Sequence, residues 1–285
     1  MSSSSAASDK PAWYISPSHI TDRSANPIGR GIFGEVYVGN YNDIKVVIRE
    51  IPRVYQQREP VAFRHLTKRW HDLSHPHVLS LLAACDQDAD GRSVQPFIVS
   101  SFMPNGTLRD YVSDPNTVRP LTEKLKLLTQ VASGMSYLHD HSILHGNLKA
   151  QNILLDGDFQ SVVSDFGFIY AHQTPPSPPS ALAGSSLDYI APEMLDDEEP
   201  SGHTKKTDVF AFAITMYETL NDGKDTWVTA DGEPMRPRVI EMQICRGNRP
   251  AKINDLPNDV WGLIEHCWHQ DPRARPTFAE ALARL

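Results

Sequence analysis

The sequence predicts an α+β chain in which a β-rich half precedes a helical half, on three observations. From Asn26 to Phe102 the apolar residues fall in short β-branched and aromatic runs, GEVYV, IKVVIREI and PFIVSSF, each bounded by Gly, Asn or Pro. After Met103 they recur at spacings of three and four through LTEKLKLLTQVASGMSYLHDH, TKKTDVFAFAITMYETLND and NDVWGLIEHCW. A length of 285 residues, 40% of them hydrophobic, suits two domains or two lobes of one domain, with ample material for a buried core.

Residues 1–11 are small, polar and aperiodic, and read as a disordered N-terminus. Trp13-Tyr14-Ile15 and Ile20 follow as apolar anchors of a lead-in segment that packs on the next sheet. The three β runs are strands, interrupted by one helix from Val61 to Leu73. The folded part divides into 12–103 and 104–285. Within the second part Ala171 to Ala183, AHQTPPSPPSALA, is the one Pro/Ser-rich stretch and reads as a long exposed loop.

Charge and cysteine usage exclude several classes of function. The net charge is 27 − 35 = −8 and the pI about 5.8, against the basic face of a general nucleic-acid or anionic-membrane binder. No run approaches the roughly 20 apolar residues of a membrane-spanning segment. Cys85, Cys245 and Cys267 are scattered, without a CxxC pair, so neither a disulfide framework nor a cysteine zinc site is indicated. The Ser/Ala-rich start has no apolar secretion core and no glycine after Met1, and the expected location is cytoplasmic. Two histidine groups, His71, His75, His77 and His139, His141, His145, lack the HExxH spacing of a zinc helix.

Chemistry-bearing motifs begin at Gly29, Gly31 and Gly34, followed by Val36, in a G-x-G-x-x-G-x-V pattern between two strand-like runs. Such glycines let backbone amides approach phosphates closely, although a hairpin with tight turns would leave the same trace. A dinucleotide fold would need them to open a helix, which the flanking strands oppose. Downstream stand His145-Gly146-Asn147-Leu148-Lys149 with Asn152, then Asp165-Phe166-Gly167, Ala191-Pro192-Glu193, and Cys267-Trp268 to Arg275-Pro276.

This ordered set resembles the protein-kinase family over roughly residues 22–285. The Asn147-Leu148-Lys149 lysine and the chain's ending are similar to the tyrosine-kinase-like group of Ser/Thr kinases. The resemblance implies a bilobal protein-kinase fold: a small lobe with a five-stranded antiparallel sheet and one helix, a hinge near Ser101-Phe102-Met103, and a larger, mainly helical lobe. It implies an ATP site lined by Gly29, Gly31, Gly34, Val36, Val47, Arg49, Phe102, Met103 and Leu154, with Ser100 at its deep end. Asn152 and Asp165 are the implied Mg²⁺ ligands, hard oxygens suiting that ion, although Asp165 could also serve as a plain turn cap. By the same resemblance Lys149 reaches the terminal phosphate and Ser186 buttresses the catalytic loop. Glu193 and Arg275 form a buried pair, Asp208 ties the catalytic-loop backbone, and Trp70, His145 and Phe166 belong to a packed spine.

Departures from the family pattern bear on function. The run Val46-Val47-Ile48-Arg49 stands where the family has V-A-I-K, and a planar guanidinium is not equivalent to an ammonium at a fitted phosphate site. Val47 adds two methyl groups where alanine usually roofs the adenine, which crowds the base. Leu66 occupies the position of the helix glutamate that partners the strand lysine; Pro60 to His71 contains no acid, and Glu59 and Asp72 only flank it. Asn147 replaces the aspartate that accepts the substrate proton, and an amide cannot take a proton near neutral pH. Gly146 replaces the arginine that would clamp a phosphorylated loop. Such HGN loops are similar to those of pseudokinases. The sequence therefore reads as a pseudokinase acting as a signalling scaffold or allosteric regulator, with weak or absent Mg-ATP binding and with protein partners, an active kinase among them. The alternative is a low-activity Ser/Thr kinase, since general-base help is worth about 10²–10⁴-fold and is not the whole of phosphoryl transfer.

Overall fold

The computed structural model describes residues 11–31, 34–52, 60–167, 187–196 and 198–285. The first ten residues, Glu59, the Pro/Ser-rich stretch from Ala171 to Ala183 and Ser186 lie outside them. In the first part β1 (Ile20–Thr21), β2 (Gly29–Gly31), β3 (Gly34–Tyr41), β4 (Ile44–Glu50), β5 (Leu81–Gln87) and β6 (Ser93–Ser101) form one antiparallel sheet in the order β1-β3-β4-β6-β5, with β2 on β3. The resemblance implied five strands. The sixth is the lead-in segment, whose Ile20 pairs with Tyr41.

Strand alternation places the core of this sheet. Val46 and Ile48 are buried and pack with Ile15, Ala83, Cys85, Phe97 and Val99, each such aliphatic side chain contributing about 1.5–3 kcal/mol. The β3–β4 hairpin closes with Tyr41 opposite Ile44, and Asn42 and Asp43 take φ 51° and 60° in the two-residue loop. Both residue types tolerate the left-handed region that a turn matched to strand twist demands. Strand β5, one of the five that the resemblance implies, leaves no local run of its own, because LLAACDQ is poor in β-branched residues; Ala83 and Ala84 are wholly buried there, where small side chains fit. Strand β6 starts before Pro96, and the ladder to β5 skips between Cys85 and Gln87, which accommodates a residue without an N–H.

Helix α1 (Pro60–His71) ends two residues before its expected limit, its last turn closed by Asp72 N donating to Lys68 O and Leu73 N to Trp70 O. Phe63, Thr67 and Trp70 form its buried stripe. Arg64 pairs with Asp86 of β5 at 2.9 Å. The lead-in anchors dock as expected: Ile15 N donates to Ala84 O at 2.9 Å, Ala84 N to Trp13 O at 3.1 Å, and Trp13 stacks on His71 at 4.7 Å.

By contact the chain up to Ser74 and from Ser80 to Phe102 forms one unit, and His75–Leu79 with Met103–Leu285 forms the other. Residues 75–79 belong to the second because His77 Nδ1 contacts Ser161 O at 2.9 Å and Leu79 N donates to Val163 O at 2.9 Å. This unit contains α2 (Leu108–Val112), α3 (Leu121–Asp140), a hairpin of β7 (Ile153–Leu155) and β8 (Ser161–Val163), α4 (Lys205–Leu220), α5 (Pro237–Cys245), α6 (Asn258–Cys267) and α7 (Phe278–Leu282). Helix α4 begins at a Thr204 capping box and is buried from Thr207 through Leu220, its buried polar residues Asp208 and Glu218 each meeting hydrogen-bond partners on other elements. Arg275, 1% exposed, donates Nη1 and Nη2 to the two oxygens of Glu193, both at 2.7 Å. Among the described residues no helix is long and apolar enough to cross a membrane.

Candidate active site

The loop between α3 and β7 carries most of the predicted chemistry, and a buried carboxylate shapes it. Asp208, near the start of α4, accepts hydrogen bonds from His145 N and Gly146 N, and its Oδ2 lies 2.9 Å from His139 Nε2. Gly146 sits at φ 73°, the left-handed region that glycine enters without penalty. Burial raises the Asp208 pKa, but the hydrogen bond and charge of His139, His145 and the Gly146 amide together hold it below the ordinary carboxylate value. Burial lowers the His145 pKa against the pull of Asp208 and Asp165, which favours the neutral imidazole.

Asn147, Asn152 and Asp165 lie along one hydrogen-bonded path. Asn152 Nδ2 donates to Asn147 O at 2.7 Å, and Asn152 O accepts from Ser164 N and Ser164 Oγ, both at 2.9 Å. Asp165 follows at φ 58° and Gly167 N donates to His145 O at 3.3 Å, so the two motifs are tied back to back. The Asn152 amide uses its nitrogen on the loop, which leaves Oδ1 as the oxygen it can offer a cation. With the Asp165 carboxylate this gives two hard oxygens, a set that fits Mg²⁺ completed by phosphate and water. Burial lowers the Lys149 pKa, opposed by the charges of Asp165 and Glu218. Leu154 lies in β7 opposite Val162 and bridges Thr107. Phe166 is buried, its ring 6.5 Å from that of His145.

In the first unit the glycine motif spans β2 and β3, with Gly29 opposite Val36 and Gly31 opposite Gly34. The three glycines are not equivalent. A Cβ on Gly34 would lie 1.8 Å from Glu50 O, and its φ is 113°, so the hairpin itself requires glycine there. A Cβ on Gly29 would meet only the Val36 Cβ at 3.8 Å. Val36 faces Arg49, Val38 faces Val47, and Val47 in turn faces Ser100 across β6, so these residues share the face opposite the core. Phe102, whose ring carries Lys45 Nζ at 3.9 Å, ends the first unit and Met103 opens the return to the second. Leu66 is half-buried on α1, and two residues earlier the exposed Arg64 of this helix reaches the Asp86 carboxylate.

The description for protein tyrosine and serine/threonine kinases matches residues 23–285. The chain belongs to the protein tyrosine and serine/threonine kinase family. Among its relatives, dual specificity protein kinase shkB of Dictyostelium discoideum is 29% identical over 280 residues, covering 94% of this chain and 40% of that protein. Integrin-linked protein kinase 1 of Arabidopsis thaliana is 29% identical over 289 residues, 96% of this chain and 57% of its own length. Receptor-interacting serine/threonine-protein kinase 3 of Rattus norvegicus is 29% identical over 269 residues, 89% and 53%. The chain thus spans only part of these relatives. A kinase-family domain generally binds ATP and Mg²⁺.

Sequence reading missed a second buried network. Glu218 of α4 accepts from Arg109 of α2 and from the Tyr189 hydroxyl, and Asp188 beside it is raised to about 6 by burial and by the charges of Glu218 and Asp225. No local pattern marks Glu218 as internal; only the complete burial of α4 does so.

Proposed function

We propose that this kinase-family domain is a pseudokinase that acts through protein partners, as a signalling scaffold or an allosteric regulator, in the cytoplasm. The observation that carries the reading is Asn147 at the base position of an otherwise ordered catalytic loop. An amide there can orient a hydroxyl but cannot accept its proton. Leu66 and Arg49 add to it, because residues that act as one constellation fail together rather than additively. Asn152 and Asp165 would hold Mg²⁺ beside Lys149, and the ion when bound supplies neutralising charge to nucleotide phosphates. Val47 and Arg49 make nucleotide affinity weak.

The retained oxygen pair also favours a second reading, a low-activity Ser/Thr kinase that transfers the γ-phosphate of ATP by positioning alone. Phosphotransfer from radiolabelled ATP and Mg²⁺, measured side by side on the wild type and Asp165→Ala, separates the two. The pseudokinase predicts background incorporation in both proteins, and Asp165-dependent incorporation would establish the slow kinase instead. Thermal-shift titration with ATP, with and without Mg²⁺, reports binding independently of turnover.

A further inference from the structure

Between α1 and β5, which both belong to the first unit, the chain enters and leaves the second through residues 75–79. This turn is held without slack. His77 O accepts from Val163 N at 3.0 Å and Leu79 N donates to Val163 O at 2.9 Å, which seats the turn on β8. Helix α3 comes so near that a Cβ on Gly134 would lie 2.4 Å from His77 O and 3.1 Å from Val163 Cγ2.

Three histidines line the contact. His75 stacks on Tyr137 of α3 at 4.9 Å, Tyr137 lies 4.1 Å from His141 at the C-terminal cap of that helix, and His77 meets the His75 ring edge-on at 5.6 Å. They do not make a metal centre, for no group of three or more metal-ligating side chains converges among the described residues. What separates them is the use each makes of Nδ1. His77 Nδ1 faces Ser161 O at 2.9 Å, and His141 Nδ1 faces Tyr137 O at 2.8 Å. A carbonyl only accepts, so both nitrogens carry hydrogen and keep their bonds when the ring takes a second proton. His75 Nδ1 instead faces a donor, the His77 N–H, at 3.1 Å. It must offer its lone pair, which puts the ring hydrogen on Nε2, 3.4 Å from Ser133 Oγ. A doubly protonated His75 would set N–H against N–H in a turn pinned by β8 and α3.

We propose that His75 is a proton-operated latch: as a neutral ring it fastens residues 75–79 to the helical unit, and on acidification it takes a proton and the turn lets go. The groups that face it favour this response. They are His77 in its own turn, and Ser133 and Tyr137 on α3 with His141 behind Tyr137. His139 of the same helix is turned to Asp208. Among the described residues none of the contacts of His75 is a carboxylate that would stabilise its cation. Burial and the charge of His77 lower the His75 pKa. The stabilisation is therefore complete above the unfolded value of 6.5 and is lost as pH falls through the lower folded one. The latch operates whether or not phosphate is transferred.

The test is hydrogen exchange of the whole chain, read by mass spectrometry from neutral pH down to about pH 5 and corrected for the intrinsic rate. The amides of residues 77–79 should open about two- to ten-fold more at the acid end, the factor expected for one lost hydrogen bond, while α4 stays protected. His75→Asn keeps an acceptor for the His77 N–H and cannot be protonated, so its exchange should hold the neutral level throughout. NMR titration of the wild-type histidines needs no variant: His75 should titrate below the ordinary histidine value, as the Nε2–H tautomer. Exchange at 77–79 that ignores pH, an acid response retained in His75→Asn, an opening that α4 shares equally, or an Nδ1–H tautomer of His75 would each overturn the inference.

Discussion

Substituting Asp208 by asparagine should unfasten the loop between α3 and β7 while changing its shape by almost nothing. The wild-type carboxylate meets His145 N, Gly146 N and His139 Nε2, each at 2.9 Å, and is 2% exposed. Asparagine keeps one acceptor oxygen, but its NH₂ then faces a backbone N–H whichever way the amide is turned. Hydrogen bonds to a charged group contribute about 1.5–3 kcal/mol each, so losing one or two of them costs about 1.5–6 kcal/mol. At about 2.1 cal/mol/K of unfolding entropy per residue over 285 residues, the melting temperature should fall by about 3–10 °C. The pKa of this group is depressed in the folded state, so its stabilisation is present above the unfolded value and is lost as pH falls through the folded one. Asp208→Asn should therefore also remove part of the acid-side fall in stability. Urea unfolding at neutral pH and through the acid range measures both effects, with an unchanged slope certifying the comparison. A loss below about 1 kcal/mol would show that the three contacts are replaceable and that the loop is held elsewhere.

Three further outcomes are expected. Asn147→Asp alone should give little phosphotransfer, and addition of Arg49→Lys with Leu66→Glu should give more; strong turnover from the single reversion would mean that the helix position is misassigned. Gly34→Ala should destabilise the protein by about 2 kcal/mol or more, because the added methyl collides with Glu50 O in a left-handed conformation, whereas Gly29→Ala should melt normally; equal melting of the two would refute the steric argument. Asp188, raised to about 6, contributes stability that is complete below its unfolded value of 3.8 and declines as pH rises through about 6. Asp188→Asn should flatten that decline and raise stability at neutral pH, as read by denaturant midpoints; a wild-type slope retained in the variant would locate the titration elsewhere.

Local signals carried much of the fold. The alternation Val46, Val47, Ile48, Arg49 placed two residues in the core and two on the far face, and apolar periodicity marked α3, α4 and α6 to within one or two residues. Ordered motifs brought out the loop between α3 and β7 and the Glu193–Arg275 pair. The rest depends on partners remote in sequence. Nothing local to Arg64 announces Asp86, and nothing near Arg109 announces Glu218, since each pair is made by the packing of separate elements. Short helices such as Leu108–Val112 are too brief for periodicity to register, and β5 lacks the residues that advertise strands.

The stretch from Trp13 to Thr21 touches the sheet at both of its margins, bridging Ala84 on β5 and pairing with β3 through Ile20 and Thr21. It works as a hem. The family match starts only at residue 23, so a fragment cut to that limit would keep every motif yet bare the Ala84 amide and carbonyl on one margin and the Asn40–Tyr41 end of β3 on the other, with Ile15 missing from the core. Naked margins of that kind recruit other chains, and such a trimmed protein should precipitate where the longer one stays dissolved.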